Sequence, residues 1–385
     1  RALAQEARGE KQTASHKTRM GGLSHGISGT IVSPPSFSCW QGPAPKNICI
    51  VMLSAIGDVV HVLPVVNALK RKWPECRITW VIQPVPHTLV ANHPGIEDFI
   101  VFRPRRDIHG WRSYAEVASA TKGRRFDLLL GLQVYLKAGL ITGIIPASIK
   151  LGFDRRRAQD GQWLFTNQKI PAHRPQHVQD QYFEFLEYLG VDPQPVDWRL
   201  TLTETERQDQ KRFLAQTGNP ICSVVVSTSK VKKNWSPTRY ARVLELVERE
   251  HALQPVIVGG PSVAEYDLAQ EVISRSNANI VTALGNDLRR LTWIIEGSTL
   301  LITPDTGPLH IARALGTPVV SLFGYTNPKR SGPYCAFGDL IVDGYAEYEG
   351  EDYPPTRTYR DGMKRVTVER VMDKVSLSLR KYASK

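Results

Sequence analysis

Thr303-Pro304-Asp305-Thr306-Gly307-Pro308-Leu309-His310-Ile311-Ala312-Arg313-Ala314-Leu315-Gly316 is the stretch whose reading decides the fold. The apolar run Thr299-Leu300-Leu301-Ile302 just before it reads as a buried strand. Asp305 and Thr306 can cap a helix, and Pro308 suits its first turn. Leu309, Ala312 and Leu315 fall at helical spacing; Gly316 and Pro318 stop the helix. A second apolar run, Val319-Val320-Ser321-Leu322-Phe323, follows at once. The unit is strand-helix-strand, with a small-residue turn at the carboxyl end of a parallel strand. Such a turn aims backbone N–H groups and a positive dipole end into the crevice where open α/β sheets bind ligands, and Gly307 lets the backbone come close. A diphosphate is the simplest occupant. The same pattern fits an ordinary capped helix with His310 half-buried, so the local signal leaves both readings open.

Working outward, the pattern repeats. Asn47 to Leu53 is a buried strand. Ser54-Ala55-Ile56-Gly57-Asp58-Val59-Val60-His61-Val62-Leu63-Pro64 opens a helix that runs on to Lys70. Strands follow at Arg77 to Ile82, Phe99 to Phe102 and Phe126 to Leu132. A helix is expected from Val178 to Leu189, and Asp192-Pro193-Gln194-Pro195 opens a connection. A second series starts with the strand Ile221 to Val226 and the loop Ser227-Thr228-Ser229-Lys230-Val231-Lys232-Lys233-Asn234-Trp235. A helix then runs from Pro237 to Glu250, a strand from Pro255 to Gly260, and Glu265 stands near the start of the next helix. An amphipathic helix from Thr367 to Tyr382 closes the chain. This alternation implies an α/β protein of two doubly wound, mainly parallel sheets, with ligands bound between them.

Composition narrows the function classes. At 385 residues the chain suits two domains, and its hydrophobic fraction of 42% is that of a globular protein. The sequence has no run of 18 apolar residues. Five scattered cysteines (Cys39, Cys49, Cys76, Cys222, Cys335) without a C-x-x-C pair suggest reduced thiols in a cytosolic protein, not a disulfide frame or a zinc site. A net charge of +12 calls for an anionic partner: nucleic acid, an anionic membrane surface or a phosphorylated substrate. No common nucleic-acid-binding motif is present. Residues 1–45 are polar and basic and are expected to be a disordered extension, with Met20 a candidate start.

With the turns in hand, the chain resembles the bacterial heptosyltransferases of glycosyltransferase family 9. Four stretches carry the likeness, in order: Ser54 to Pro64, Lys233-Asn234-Trp235, Asp305 to Ala312, and Gly324 to Tyr334. The resemblance covers about residues 46 to 375. It implies a GT-B fold with an acceptor-binding Rossmann-like domain at 46–200, a nucleotide-sugar-binding one at 201–360, and a C-terminal helix in 361–385 packing back on the first. It also implies inverting transfer of heptose from ADP-heptose to a phosphorylated Kdo-lipid A acceptor of lipopolysaccharide, without cofactor or required metal. The expected setting is the cytoplasm, in contact with the inner-membrane surface.

The site residues follow from that resemblance. Asp58 is the expected base for the acceptor hydroxyl, although a helix-capping carboxylate fits the same position. His61 is either its helper or a core residue. Lys233 is the expected diphosphate clamp, with Thr228 and Ser229 donating from the same loop. Thr306 and Gly307 suit phosphate, while Asp305, which phosphate would repel, takes donor-sugar hydroxyls. His310 is carried over to the donor site, and Glu265 to the nucleotide's ribose. Among the arginine clusters, Arg105 and Arg156 are the expected contacts to the acidic acceptor. Rival readings are a nucleotide-sugar epimerase of the same architecture, a transferase for another sugar or a later core position, an oxidoreductase, and a charge-driven surface binder. The first turn has only Gly57 and lacks the G-x-G-x-x-G of a dinucleotide site, which disfavours the oxidoreductase.

Overall fold

A computed structural model describes residues 40, 42–105, 108–218 and 220–382. The expectations for residues 1–45 fall almost wholly outside these residues, as do Cys39 and Arg106. In the first half, β1 (Asn47–Val51) leads into α1 (Ile56–Lys72), β2 (Arg77–Ile82), α2 (Pro84–Val90), β3 (Asp98–Val101) and α3 (Gly110–Thr121). Then come β4 (Phe126–Gly131), α4 (Leu136–Ile144), β5 (Ala147–Gly152), β6 (Gln168–Lys169) and α5 (Val178–Tyr188). In the second, α6 (Glu204–Thr217) precedes β7 (Ile221–Val224), α7 (Pro237–His251), β8 (Gln254–Gly259), α8 (Val263–Ser274), β9 (Val281–Leu284) and α9 (Leu288–Glu296). It continues with β10 (Leu300–Pro304), α10 (Gly307–Leu315), β11 (Val319–Phe323), the single turn α11 (Pro328–Ser331), β12 (Ile341–Asp343) and α12 (Val368–Tyr382).

The first sheet runs β3-β2-β1-β4-β5-β6 and the second β12-β11-β10-β7-β8-β9. Every pairing within them is parallel. Strands sandwiched between helix layers are buried on both faces, so β1 and β10 read as unbroken apolar runs and not as alternations. In each sheet the strand order reverses at one place, between β1 and β4 and between β7 and β10. Those switch points are where an open α/β sheet leaves a crevice at its carboxyl edge.

The two crevices face each other because α1 and α10 pack together. The contact is close at both helix starts. A Cβ at Gly57 would stand 2.6 Å from Cδ2 of His310, and one at Gly307 would stand 3.1 Å from Ile56. Only glycine at 57 leaves room for that imidazole. Core side chains of both sheets merge into one hydrophobic cluster, and a smaller one around Cys49, Val51, Leu129 and Ile141 fills the other face of the first sheet.

The last helix departs from expectation. α12 packs on α7 and on the β11–β12 edge of its own half, not back on the first domain. Its buried stripe of Val371, Val375 and Ser378 closes a flank of the second sheet that would otherwise be left open.

Gly57→Ala is expected to destabilise the protein by about 1–3 kcal/mol, because an added methyl meets a packed ring. A melting curve showing an unchanged midpoint would refute that close approach.

Candidate functional site

Side chains from both halves line a cleft of about 380 Å³, with Asp58 on one wall and Lys233, Thr306 and Gly307 on the other. Each comes from a switch point: Asp58 from the turn after β1, the Lys233 loop from the turn after β7, and Thr306 from the turn after β10.

Asp58 sits half-buried in the first turn of α1. Its Oδ2 accepts the Ala55 backbone N–H at 3.2 Å, so it does act as a capping carboxylate. Its Oδ1 accepts the Tyr182 hydroxyl at 3.1 Å and stays at the cleft wall. Burial pushes its pKa above the ordinary carboxylate value, against the pull of the Ala55 N–H, the Tyr182 hydroxyl and the positive charges of Arg330 and Arg357. Tyr182 is itself held far above the usual phenol value by burial and by Asp58, so it remains a donor.

Lys233 reaches across its loop to Asp305. Its Nζ donates to Asp305 Oδ2 at 2.8 Å and to the Asp305 carbonyl at 2.9 Å. The carboxyl can stand beside an anion site because this ammonium neutralises it. Asp305 does not cap α10, whose cap position is Thr306. The Lys233 loop is held from two sides. Asn234 Oδ1 accepts the Thr228 N–H and hydroxyl, each at 2.9 Å, and the buried Trp235 donates its indole N–H to the Val366 carbonyl at 2.9 Å. Ser229 lines the cleft from this loop.

Behind the two walls lies a stack of imidazoles. The His61 ring centroid is 4.4 Å from that of His310 and 5.9 Å from that of His177. His61 Nδ1 lies 2.8 Å from Gln179 Oε1. Burial lowers all three pKa values, to about 4 for His61 and His177, and the rings also depress one another, His61 acting on both His177 and His310. At neutral pH they are uncharged packing, and His61 and His310 join the two halves beneath the site. Among the described residues no group of three or more His, Cys, Asp or Glu could hold a metal ion.

Three expected residues stand outside the cleft. Glu265 closes a capping network at α8, accepting the Gly260 N–H at 2.8 Å and the Ser262 hydroxyl at 2.7 Å beyond β8. Arg105 is exposed and paired with Glu116 at 2.8 Å. Arg156 is exposed on the segment after β5, with its backbone N–H on Asp154. Conversely, the cleft contains cations that had no role in the reading of the sequence. Arg330 comes from α11, whose neighbours tie it to both walls: Ser331 donates to Asp305 Oδ2 at 3.4 Å, and His177 Nε2 lies 2.9 Å from the Gly332 carbonyl. Arg357 belongs to the long segment after β12 and donates to the Tyr135 hydroxyl of the first half at 3.1 Å, spanning the mouth. Tyr359, beside it, stacks on Tyr325. Arg330 lay within the fourth quoted stretch, a signal that could have drawn notice; the 345–359 segment had none.

This is a site with a carboxylate facing cations and helix amides across a gap. The profile of glycosyltransferase family 9 (heptosyltransferase) matches residues 115–342. The chain belongs to that family. It is 30% identical over 311 residues to the lipopolysaccharide core heptosyltransferase OpsX of Haemophilus influenzae, covering 80% of this chain and 88% of that one. Among solved structures, a family 9 glycosyltransferase from Veillonella parvula superposes with a TM-score of 0.74 at 24% identity, over 87% of this chain and 97% of that one. The Escherichia coli heptosyltransferase WaaC with ADP gives 0.68 at 18% identity, over 86% and 99%. These likenesses establish the GT-B-like fold, and membership makes the protein a glycosyltransferase.

Two outcomes test the geometry. A general base works only when ionised, so with Asp58 in the base role expected of it, its raised pKa places the acid limb of kcat/KM above about pH 4. Removing the Tyr182 hydroxyl takes a hydrogen bond from the carboxylate, so Tyr182→Phe should move that limb to still higher pH; an unmoved limb uncouples the pair. Lys233→Ala should weaken ADP binding by about tenfold or more, read by calorimetry, since charge-assisted bonds to phosphate are worth about 1.5–3 kcal/mol.

Proposed function

We propose that the protein transfers heptose from ADP-heptose to a Kdo-lipid A type acceptor of the lipopolysaccharide inner core, with inversion and without a required metal. The observation that carries this reading is that Asp58 and the Lys233–Thr306 wall face one cleft. In the proposed step Asp58 takes the proton of the acceptor hydroxyl as its oxygen attacks the anomeric carbon. The bond from that carbon to the diphosphate oxygen breaks on the opposite side, and one displacement inverts the centre. The leaving diphosphate gains charge, which the first-turn amides of α10, Arg330, and the Lys233 ammonium that Asp305 partly offsets are placed to receive. That supply of positive charge is our reason for requiring no metal.

Thr306 and Gly307 hold phosphate, with Thr228 and Ser229 donating from the Lys233 loop. Asp305 and His310 face the donor sugar, and Glu265 lies toward the nucleoside end, beyond β8. Arg330 and Arg357 confront the acceptor inside the cleft, and Arg105 and Arg156 serve charged groups that extend beyond it. The lipopolysaccharide core activity in the name of the Haemophilus influenzae relative supports the acceptor, and the ADP in the WaaC structure supports the donor nucleotide. A lipid-linked acceptor places the enzyme in the cytoplasm, at the inner-membrane surface. Among the described residues no helix is long and apolar enough to cross a membrane.

Purified protein with ADP-heptose and Kdo-capped lipid A should add the mass of one heptose to the acceptor, in the presence of EDTA as in its absence. Asp58→Ala should lose at least about a hundredfold in kcat, the lower range for a positioned base. Release of an epimerised sugar nucleotide without acceptor product would favour the epimerase reading instead.

A further inference from the structure

The first half carries an apolar stripe that the fold leaves uncovered. Leu136, Leu140 and Ile144 recur at every fourth position of α4, so they share one side of the helix. They are 42%, 37% and 37% exposed, while Ala138, Ile141 and Thr142 on the other side are buried. The stripe is widened by a 3-10 turn at Gln162–Phe165. Gly139 and Gly143 seat that turn, because a Cβ at either would lie within 2.8 Å of the Phe165 ring. Leu164, on the same turn, is 65% exposed.

Exposed cations stand on or over the same elements and on the helix packed beside them. Lys137 is on α4 itself, which contains no acidic residue. The Arg155 guanidinium lies over the Trp163 ring of the 3-10 turn, 3.8 Å from its centroid. Arg112 is exposed on α3, which packs beside α4. The stripe also begins at the site: Leu136 follows Tyr135, which lines the cleft and holds Arg357.

We infer that the outer face of α4, with Leu164, rests on an anionic lipid bilayer and presents the cleft mouth to an acceptor carried in that bilayer. The second half of this statement rests on the proposed lipid-linked acceptor; the first does not. Apolar side chains between basic ones match the headgroup boundary of an anionic leaflet, where leucine enters the acyl edge and Lys and Arg meet lipid phosphate. A second copy of the chain is a poorer occupant, because pairing this face with itself would oppose like charges.

The test is co-sedimentation with vesicles of phosphatidylglycerol and phosphatidylethanolamine, and with neutral phosphatidylcholine vesicles. Wild-type protein should bind the anionic vesicles and release as salt rises. L140E/L164E and, separately, K137E/R112E should each lower the partition coefficient by at least about tenfold, given about fivefold per charge at an anionic surface. V263E, on the exposed start of α8, should bind as wild type does. Both multiple variants should keep the wild-type melting temperature and full transfer to a deacylated, water-soluble acceptor, and lose kcat/KM only on vesicle-embedded acceptor. Vesicle binding by a wild-type protein that transfers heptose to no acceptor would defeat the proposed function and leave the docking face standing. The docking face is overturned by wild-type failure to bind anionic vesicles, by undiminished binding of the variants, or by variants that also lose transfer to the soluble acceptor. It is equally overturned by a wild-type dimer that L140E dissociates.

Discussion

The close meeting of α1 and α10 at their amino ends sets the distance on which the site depends. Each helix follows the central strand of its sheet, and each begins at a switch point. Gly57 admits the His310 ring, and Gly307 lies against Ile56. One residue after Gly57 comes the Asp58 carboxylate; one residue before Gly307 comes Thr306, the cap position of α10. The helix contact therefore spaces the two chemical walls, and the imidazole stack beneath, kept neutral by burial, adds packing without charge repulsion.

Charge in the cleft is arranged so that each anion has a reason to be tolerated. Asp305 is offset by Lys233, and the negative end of Asp58 is eased by the Tyr182 hydroxyl and by Arg330 and Arg357. The two carboxylates are thus held differently, one in a direct ion pair and one by two neutral donors, the Ala55 N–H and the Tyr182 hydroxyl. That difference leaves Asp58 free to take a proton, since no ammonium is clamped to it.

The fold was legible because parallel strands buried on both faces are long apolar runs, and because capping residues and glycines mark where they turn. Three residues that line the two walls of the cleft were legible for the same reason: Asp58, Lys233 and Thr306 lie within a few positions of a strand end. What sequence could not give were partners brought in by tertiary packing. Tyr182 sits 124 positions from Asp58, in the middle of an amphipathic helix that reads as plain core. Arg357 lies in an irregular segment, and its place at the site shows only once it reaches Tyr135 across the mouth. A cluster of arginines shows charge and not direction, so the sequence could not say that Arg105 and Arg156, expected to meet the acceptor, lie exposed outside the cleft. Glu265 shows the converse limit, since a glutamate three residues after a serine also serves the helix start, taking the Ser262 hydroxyl and the Gly260 N–H while its own N–H goes to Ser262.

The indole of Trp235 gives the chain's last segment a hold on the Lys233 loop at the cleft wall. Val366 lies 131 positions downstream, and its carbonyl also takes the Arg239 guanidinium. The segment leading into α12 thereby works as a guy-rope for the lysine turn, pulling it taut from outside the reaction space. Sequence drift in this tail would be felt first as slack in one wall of the cleft, long before the globule itself came apart.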